Sequence, residues 1–210
     1  MTLADCLKPL PLVALLRGIS PPEAAGVADA LTGAGFRILE VTLNSPHPLE
    51  SIRALASRCG ATALVGAGTV IDPADVAKVR EAGGRLIVMP HADVAVIREA
   101  KRQGLVCIPG VATPTEAFAA LAAGADALKM FPAEALPPGA LKAWRAVLPR
   151  GTLVFAVGGM RPDNLVPYWE AGADGFGTGS HLYQPGATAL AVREAAQAYA
   201  RGVGALPRRG

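Results

Sequence analysis

Residues 60–73 read Gly-Ala-Thr-Ala-Leu-Val-Gly-Ala-Gly-Thr-Val-Ile-Asp-Pro. Gly60 is the kind of residue that closes a helix, because glycine adopts the left-handed backbone conformation without steric cost. The apolar run from 63 to 70 has the length of a buried strand. Asp72 and Pro73 then form a helix start, with an N-cap aspartate followed by a first-turn proline. This stretch therefore predicts a helix end, a strand and a new helix in succession.

The same order of signals recurs along the chain. Glycines that end helical patterns are spaced 20 to 27 residues apart, at Gly35, Gly60, Gly83, Gly104, Gly124, Gly151 and Gly172. Apolar runs lie at 12–18, 36–43, 63–70, 86–90, 106–111, 127–132, 153–159 and 175–180. Short connections between alternating strands and helices predict a parallel sheet, and eight such units favour closure into a barrel. We expect an α/β fold, a single-domain (β/α)8 TIM barrel over residues 1–201, with a loose tail at 202–210.

The composition argues against several classes of protein. The net charge is +3, and no Lys/Arg run is longer than the pair Arg208-Arg209, so nucleic acid is not an expected partner. The apolar run 10–16 is interrupted by Pro11 and is too short to span a membrane. The three cysteines and three histidines lack metal-ligand spacing, so we expect no metal, and free thiols indicate a cytoplasmic protein. A small anionic ligand is compatible with this charge.

Polar residues in apolar strands indicate which side chains face the barrel lumen. Side chains alternate along a strand, so Glu40 faces the lumen if the apolar residues 39, 41 and 43 face the helices. The same reasoning places Lys129 in the lumen, together with Arg17 in the first strand and Thr69 in the third. Strands two and six are four apart in a ring of eight, so Glu40 and Lys129 should approach each other at the barrel mouth.

The Glu40/Lys129 pair has two interpretations. It is either a buried ion pair without a catalytic role or a nucleophilic lysine with an acid/base partner. Lysine is rarely buried without a reason, which favours catalysis. Attack on a carbonyl requires a neutral amine. Burial and Arg17 would lower the pKa of Lys129, and an ionised Glu40 would raise it.

Two glycine motifs follow the last two strands. Gly158 and Gly159 end strand seven, and Gly179 and Ser180 end strand eight. Each motif alone could merely permit a tight turn. Backbone amides after these two strands are where such barrels hold phosphate, so the two together predict a phosphate site.

Six motifs resemble one known family. They are residues 15–19 (Leu-Leu-Arg-Gly-Ile), 39–46 (Leu-Glu-Val-Thr-Leu-Asn-Ser-Pro), 65–70 (Val-Gly-Ala-Gly-Thr-Val), 109–116 (Pro-Gly-Val-Ala-Thr-Pro-Thr-Glu), 127–134 (Ala-Leu-Lys-Met-Phe-Pro-Ala-Glu) and 155–159 (Phe-Ala-Val-Gly-Gly). Together they resemble the 2-keto-3-deoxy-6-phosphogluconate and phosphogalactonate aldolases. The resemblance covers nearly the whole chain in order.

The resemblance implies a class I aldolase that releases pyruvate and D-glyceraldehyde 3-phosphate. It implies that Lys129 forms a Schiff base and that Glu40 moves protons. Arg17 and Thr69 would bind the pyruvate carboxylate, and the two glycine motifs would bind the phosphate. The family further implies a homotrimer that needs no metal and no other cofactor.

Two positions favour the galactonate epimer within this family. The gluconate enzymes typically have arginine where this chain has Asn44 and threonine where it has Val157. A valine removes a hydrogen bond to the C4 hydroxyl, so it removes a preference rather than creating a strong opposite one. Three alternatives stay open: a gluconate or dual-specificity aldolase, a phosphate-binding isomerase or synthase without a covalent step, and a non-catalytic sugar-phosphate sensor.

Overall fold

The computed structural model describes residues 2–208. Its strands are β1 (Leu12–Leu15), β2 (Ile38–Thr42), β3 (Leu64–Gly68), β4 (Leu86–Val88), β5 (Val106–Ile108), β6 (Gly110–Val111), β7 (Leu128–Met130), β8 (Val154–Val157) and β9 (Gly175–Thr178). Its α-helices are α1 (Leu3–Leu7), α2 (Pro21–Gly33), α3 (Pro48–Cys59), α4 (Pro73–Glu81), α5 (Val94–Arg102), α6 (Pro114–Ala122), α7 (Pro138–Arg145), α8 (Leu165–Glu170) and α9 (Ala189–Gly204). A 3-10 helix spans Ala133–Ala135.

The strands form one nearly closed parallel barrel. Their order is β5-β4-β3-β2-β1-β9-β8-β7-β6, so β5 and β6 lie at the two ends of the ladder. Only Pro109 separates these two strands in the chain, and its carbonyl accepts a hydrogen bond from Lys129 N at 2.8 Å. The alternation of strands and helices around one barrel is as predicted. The predicted count of eight differs from the nine observed because the fifth run is divided at Pro109, which has no N–H to donate to a ladder.

The lumen contains its own hydrophobic cluster, distinct from the layer between strands and helices. Its members from the strands include Val13, Leu15, Ile38, Leu64, Leu86, Val88, Ile108, Phe155 and Val157. Leu3 and Cys6 of α1 belong to the same cluster. The outer cluster contains the alternate residues, such as Leu39, Val41, Leu128 and Met130. The predicted orientations of the first, second, sixth and seventh apolar runs are therefore confirmed.

The predicted orientation of the third strand was wrong. Val65 and Ala67 pack in the outer cluster, and Leu64 belongs to the lumen cluster. The lumen positions after Leu64 are Gly66 and Gly68, whose lack of a side chain hides the alternation from the sequence. A Cβ atom on Gly68 would lie 2.6 Å from Glu40 Oε1, so a larger residue at this position would displace the Glu40 carboxyl group.

The last helix extends beyond the predicted end of the barrel domain. Helix α9 continues to Gly204, past the expected start of the tail at residue 202. Leu206 packs against the outer core, and Trp169 Nε1 donates a 2.9 Å hydrogen bond to the carbonyl of Pro207. These contacts involve residues up to 207, and the last two positions of the predicted tail lie outside the described residues. None of the helices within residues 2–208 has both the length and the apolar character to cross a membrane.

Candidate active site

Two neighbouring cavities lie at the C-terminal ends of the strands. The inner one is a void of about 10 Å³ whose lining includes Glu40 and Lys129. The outer one is a cleft of about 450 Å³ whose lining includes Arg17 and both glycine motifs. Leu15, Val157 and Gly177 line both cavities. The inner void with Glu40 and Lys129 is therefore adjacent to the wider cleft, and these three residues lie between them.

Lys129 is a buried amine at the centre of β7. It is 6% exposed, and its Nζ lies 4.8 Å from the centroid of the Phe131 ring. Burial lowers its pKa, Glu40 opposes that effect, and the Arg17 guanidinium adds to it. A lowered pKa increases the fraction of neutral amine near pH 7, which is the nucleophilic form.

Glu40 is the buried carboxyl group of β2. It is 1% exposed, and its Oε2 has no hydrogen-bond partner among the described residues. Burial raises its pKa, while Lys129 and Arg17 act in the opposite direction. A carboxyl group with a raised pKa can donate a proton near neutral pH and later take one back.

Glu40 and Lys129 share the inner void without forming an ion pair. No nitrogen–oxygen contact of 4.0 Å or less joins them in the described part of the chain. Burial raises the pKa of Glu40 and lowers the pKa of Lys129, and each group opposes the shift of the other. The interpretation as a mere buried ion pair therefore loses its geometric basis, and the arrangement is suited to covalent catalysis with proton transfer.

Arg17 lies at the rim, two residues beyond Leu15 in the lumen phase, and its side chain is exposed. The next residue, Gly18, has a φ of 80°, and its N–H donates to Ser45 Oγ at 2.8 Å. Ser45 Oγ is also 3.0 Å from Thr42 Oγ1. These bonds fix the end of β1 to the end of β2, so the guanidinium is attached to a defined backbone beside the cleft.

The two glycine motifs line the cleft as predicted. Gly158 and Gly159 have φ angles of 111° and 63°, which side-chain-bearing residues rarely adopt. A Cβ atom on Gly158 would also lie 2.6 Å from Oε2 of Glu134. Gly179 and Ser180 line the same cleft after β9. The backbone therefore comes close to the cleft at both motifs.

The three other predicted residues, Val157, Asn44 and Thr69, lie in different places relative to the two cavities. Val157 is 5% exposed and lines both cavities, as its predicted lumen position requires. Asn44 is exposed and is not among the residues that line either cavity. Thr69 also lines neither cavity and follows β3 with a φ of 59°. Because Thr69 lies beyond the end of β3 and has a positive φ, strand alternation does not define its orientation, and its role at the carboxylate stays a prediction.

Several residues that line the cleft were not predicted from the sequence. Glu134 follows the cis peptide bond Phe131–Pro132 and lies against the first glycine motif. Tyr183, Gln184 and Pro185 come from the segment after β9. Glu134 could have been suspected from its position soon after Lys129. The other three lie in an irregular segment without a periodic pattern.

Comparison with known proteins assigns the family. Residues 3–194 match the family model described as "KDPG and KHG aldolase". The chain belongs to this aldolase family. The expectation of a Schiff-base aldolase, a carbon–carbon lyase, is thereby confirmed.

Two curated relatives and one solved structure are especially similar. A probable 2-dehydro-3-deoxy-6-phosphogalactonate aldolase of Rhizobium meliloti (strain 1021) is 49% identical over 89% of this chain and 88% of its own length. The 2-dehydro-3-deoxy-6-phosphogalactonate aldolase of Escherichia coli (strain K12) is 46% identical over 91% of this chain and 94% of its own. A structure described as native KDPGal superimposes with a TM-score of 0.90 at 46% identity, covering 92% and 94% of the two chains.

Proposed function

We propose that this chain cleaves 2-dehydro-3-deoxy-6-phospho-D-galactonate to pyruvate and D-glyceraldehyde 3-phosphate through a Schiff base on Lys129. The observation that carries the proposal is the buried amine of Lys129 beside the buried carboxyl group of Glu40. The void that they share adjoins a cleft lined by both glycine motifs. The names of the two curated relatives support the choice of substrate.

The first half of the reaction forms the iminium ion. The neutral amine of Lys129 adds to the C2 ketone, and a nitrogen proton moves to the former carbonyl oxygen. Glu40 in its acid form protonates the resulting hydroxyl group, which leaves as water. The product is an iminium ion at C2 and an ionised Glu40. The raised pKa of Glu40 suits this step, because it keeps the acid form populated.

The second half breaks the carbon–carbon bond. The Glu40 carboxylate takes the proton of the C4 hydroxyl, and the C3–C4 electron pair moves to the iminium. C4 leaves as the aldehyde of D-glyceraldehyde 3-phosphate, and an enamine remains. Glu40 returns its proton to C3, and water then hydrolyses the iminium, which releases pyruvate and neutral Lys129 while the Glu40 carboxylate takes up the proton set free and returns to its acid form. No step requires a metal ion or an organic cofactor, and that expectation stays a prediction.

The substrate's two anionic ends fit two parts of the cleft. The carboxylate next to C2 must lie near Lys129, where Arg17 supplies a guanidinium for charge-assisted hydrogen bonds. The phosphate would lie further out, against Gly158, Gly159, Gly179 and Ser180. Thr69 and Asn44 remain proposed contacts to the carboxylate and near the C4 hydroxyl, although neither lines a cavity.

Arg17→Ala is expected to weaken pyruvate binding. The loss of a charge-assisted contact should raise the half-saturating pyruvate concentration by about tenfold to a hundredfold. Arg17 also lowers the pKa of Lys129, so its removal should raise that pKa and move the acid limb of Schiff-base formation to higher pH. Inactivation by borohydride at varied pyruvate concentration and pH measures both effects. The exposed Arg53→Ala in α3 is the control, and identical behaviour of the two variants would remove Arg17 from the carboxylate site.

Val157→Thr is expected to shift epimer preference towards the phosphogluconate substrate. Threonine has nearly the shape of valine and adds a hydroxyl at a wall shared by the two cavities. One neutral hydrogen bond to the C4 hydroxyl changes the ratio of the two kcat/KM values by about three- to tenfold. Val157→Ala serves as the control that alters packing without adding a hydroxyl. An unchanged ratio in the threonine variant would contradict the role of this position.

Retro-aldol turnover on each C4 epimer separately tests the proposed substrate. Pyruvate release, coupled to lactate dehydrogenase, is expected to be clearly faster with the phosphogalactonate substrate. Comparable rates would support the dual-specificity alternative, which the apolar Val157 permits because it makes no epimer-specific hydrogen bond. Absence of pyruvate from both epimers would contradict the proposed function.

The assembly and location remain proposals. We infer a single barrel domain in the cytoplasm, as the free thiols indicate, and a homotrimer, as the family resemblance implies. Ile71 and Phe118 are large apolar side chains that are 60% and 44% exposed in the single chain. Contact between copies of the chain is one way to cover such side chains. Light scattering on the purified protein would give the mass of the assembly directly.

A further inference from the structure

Glu23 lies in the first turn of α2 and closes a capping box. Its Oε2 accepts hydrogen bonds from the N–H of Ser20, at 2.8 Å, and from the Ser20 hydroxyl. The Ser20 hydroxyl is in turn part of the cap at the start of the helix. These bonds are what a capping glutamate ordinarily makes, and one of its two oxygens is enough for them.

The other oxygen of Glu23 binds a distant segment. Oε1 accepts a hydrogen bond from the Tyr183 hydroxyl at 2.9 Å and another from the N–H of Gly186 at 2.9 Å. Partial burial raises the pKa of Glu23, but the hydrogen bonds from Ser20, Tyr183 and Gly186 outweigh it and hold that pKa below its ordinary value. The ionised carboxylate therefore connects the start of α2 with the segment after β9.

This segment forms one wall of the cleft. Its residues in the lining are Gly179, Ser180, His181, Tyr183, Gln184 and Pro185. The segment also contacts the end of the first strand, where a Cβ atom on Gly18 would lie 2.6 Å from Pro185 Cγ. A shift of the segment would therefore change the part of the cleft that includes the second glycine motif.

A second capping box provides the comparison. Glu116 in the first turn of α6 accepts hydrogen bonds from the N–H groups of Ala112 and Thr113 and from the Thr113 hydroxyl. All three bonds use Oε2 and are local to the cap. Glu116 does only what a cap requires, whereas Glu23 uses its additional oxygen to hold a wall of the cleft.

We propose that Glu23 is a positioning residue for phosphate binding, acting through Tyr183 and Gly186 on the segment that carries Gly179 and Ser180. This inference rests on the proposed function, which places the substrate phosphate at that segment. Glu23 touches neither the substrate nor the reacting atoms. Its effect should therefore appear in affinity for phosphorylated ligands and not in the covalent step on Lys129.

Glu23→Gln separates the two roles of the side chain. The glutamine carbonyl keeps the bonds to Ser20, because glutamine also functions in a capping box. Its NH2 group then faces two donors, the Tyr183 hydroxyl and the Gly186 N–H, and cannot accept from the Gly186 N–H. We expect the KM for the phosphorylated substrate to rise on the order of tenfold with little change in kcat. The pyruvate concentration that half-saturates borohydride inactivation should not change, because pyruvate has no phosphate.

Two further variants make the test decisive. Glu116→Gln alters a cap alone and should keep the KM of the unmodified enzyme. Tyr183→Phe keeps Glu23 and removes one donor, so it should raise the KM for the phosphorylated substrate even if Glu23→Gln folds poorly. An unchanged KM in a folded Glu23→Gln variant, or an equal rise in the half-saturating pyruvate concentration, would overturn the inference. If Glu23→Gln does not fold, an unchanged KM in Tyr183→Phe would overturn it. Failure of the proposed function would give a different result: the unmodified enzyme itself would then release no pyruvate.

Discussion

Replacement of Lys129 by methionine is expected to abolish turnover and pyruvate trapping together. Methionine cannot form an iminium ion, so kcat should fall by about 10⁴-fold or more, the scale on which removal of a catalytic nucleophile acts. Coupled pyruvate release and borohydride inactivation measure the two effects. The exposed Lys142→Ala in α7 is the control and should behave like the unmodified enzyme.

The same replacement should not unfold the protein. Lys129 is 6% exposed and shares the inner void with apolar side chains such as Leu15, Ile108 and Phe155. An apolar side chain of similar length avoids the cost of burying an amine. We expect the melting temperature of Lys129→Met to equal or exceed that of the unmodified protein. A folded methionine variant that still releases pyruvate at an appreciable rate would contradict the nucleophilic role.

Glu40→Gln is expected to reduce kcat and to slow Schiff-base formation, while the amine of Lys129 stays able to react with the ketone. Glutamine has the shape of glutamate and fits beside Gly68, but it neither donates nor accepts the proton that the reaction moves. Loss of a general acid/base lowers kcat by about 10²- to 10⁴-fold. Glu116→Gln is the matched control, since that carboxyl group lies in a surface cap.

The direction in which the pH profile of Glu40→Gln shifts is an independent test of the role of Glu40. Glu40 raises the pKa of Lys129, so its removal should lower that pKa further. The acid limb of pyruvate trapping should therefore move to lower pH, opposite to the shift expected for Arg17→Ala. Rates of borohydride inactivation at limiting pyruvate across the pH range measure both shifts. An unchanged kcat, or shifts of the same sign in the two variants, would remove Glu40 from the proton path.

The sequence predicts the inner site well because its polar residues interrupt apolar strands. Glu40 and Lys129 each have apolar neighbours on both sides, and alternation then leaves one consistent orientation. Both residues line the same void, as predicted. The third strand lacks this contrast, since Gly66 and Gly68 carry no side chain, and its orientation was predicted wrongly. Thr69 was thereby assigned to the lumen although it lines neither cavity.

The sequence does not reveal contacts between segments that are far apart along the chain. The role of Glu23 as a cap is visible in the residues Ser20 to Glu23, but its bonds to Tyr183 and Gly186 depend on closure of the barrel. The contacts of Trp169 with the C-terminal segment have the same character. The division of the fifth strand at Pro109 is a local effect that a count of apolar runs misses.

The most direct test of the central claim is to identify the residue that pyruvate modifies. The unmodified enzyme would be treated with labelled pyruvate and borohydride, digested, and mapped by peptide mass. We predict one reduced adduct, located on Lys129 in the peptide that contains Ala127 to Pro132. An adduct on another lysine, or no adduct at pyruvate concentrations that saturate the enzyme, would contradict the account.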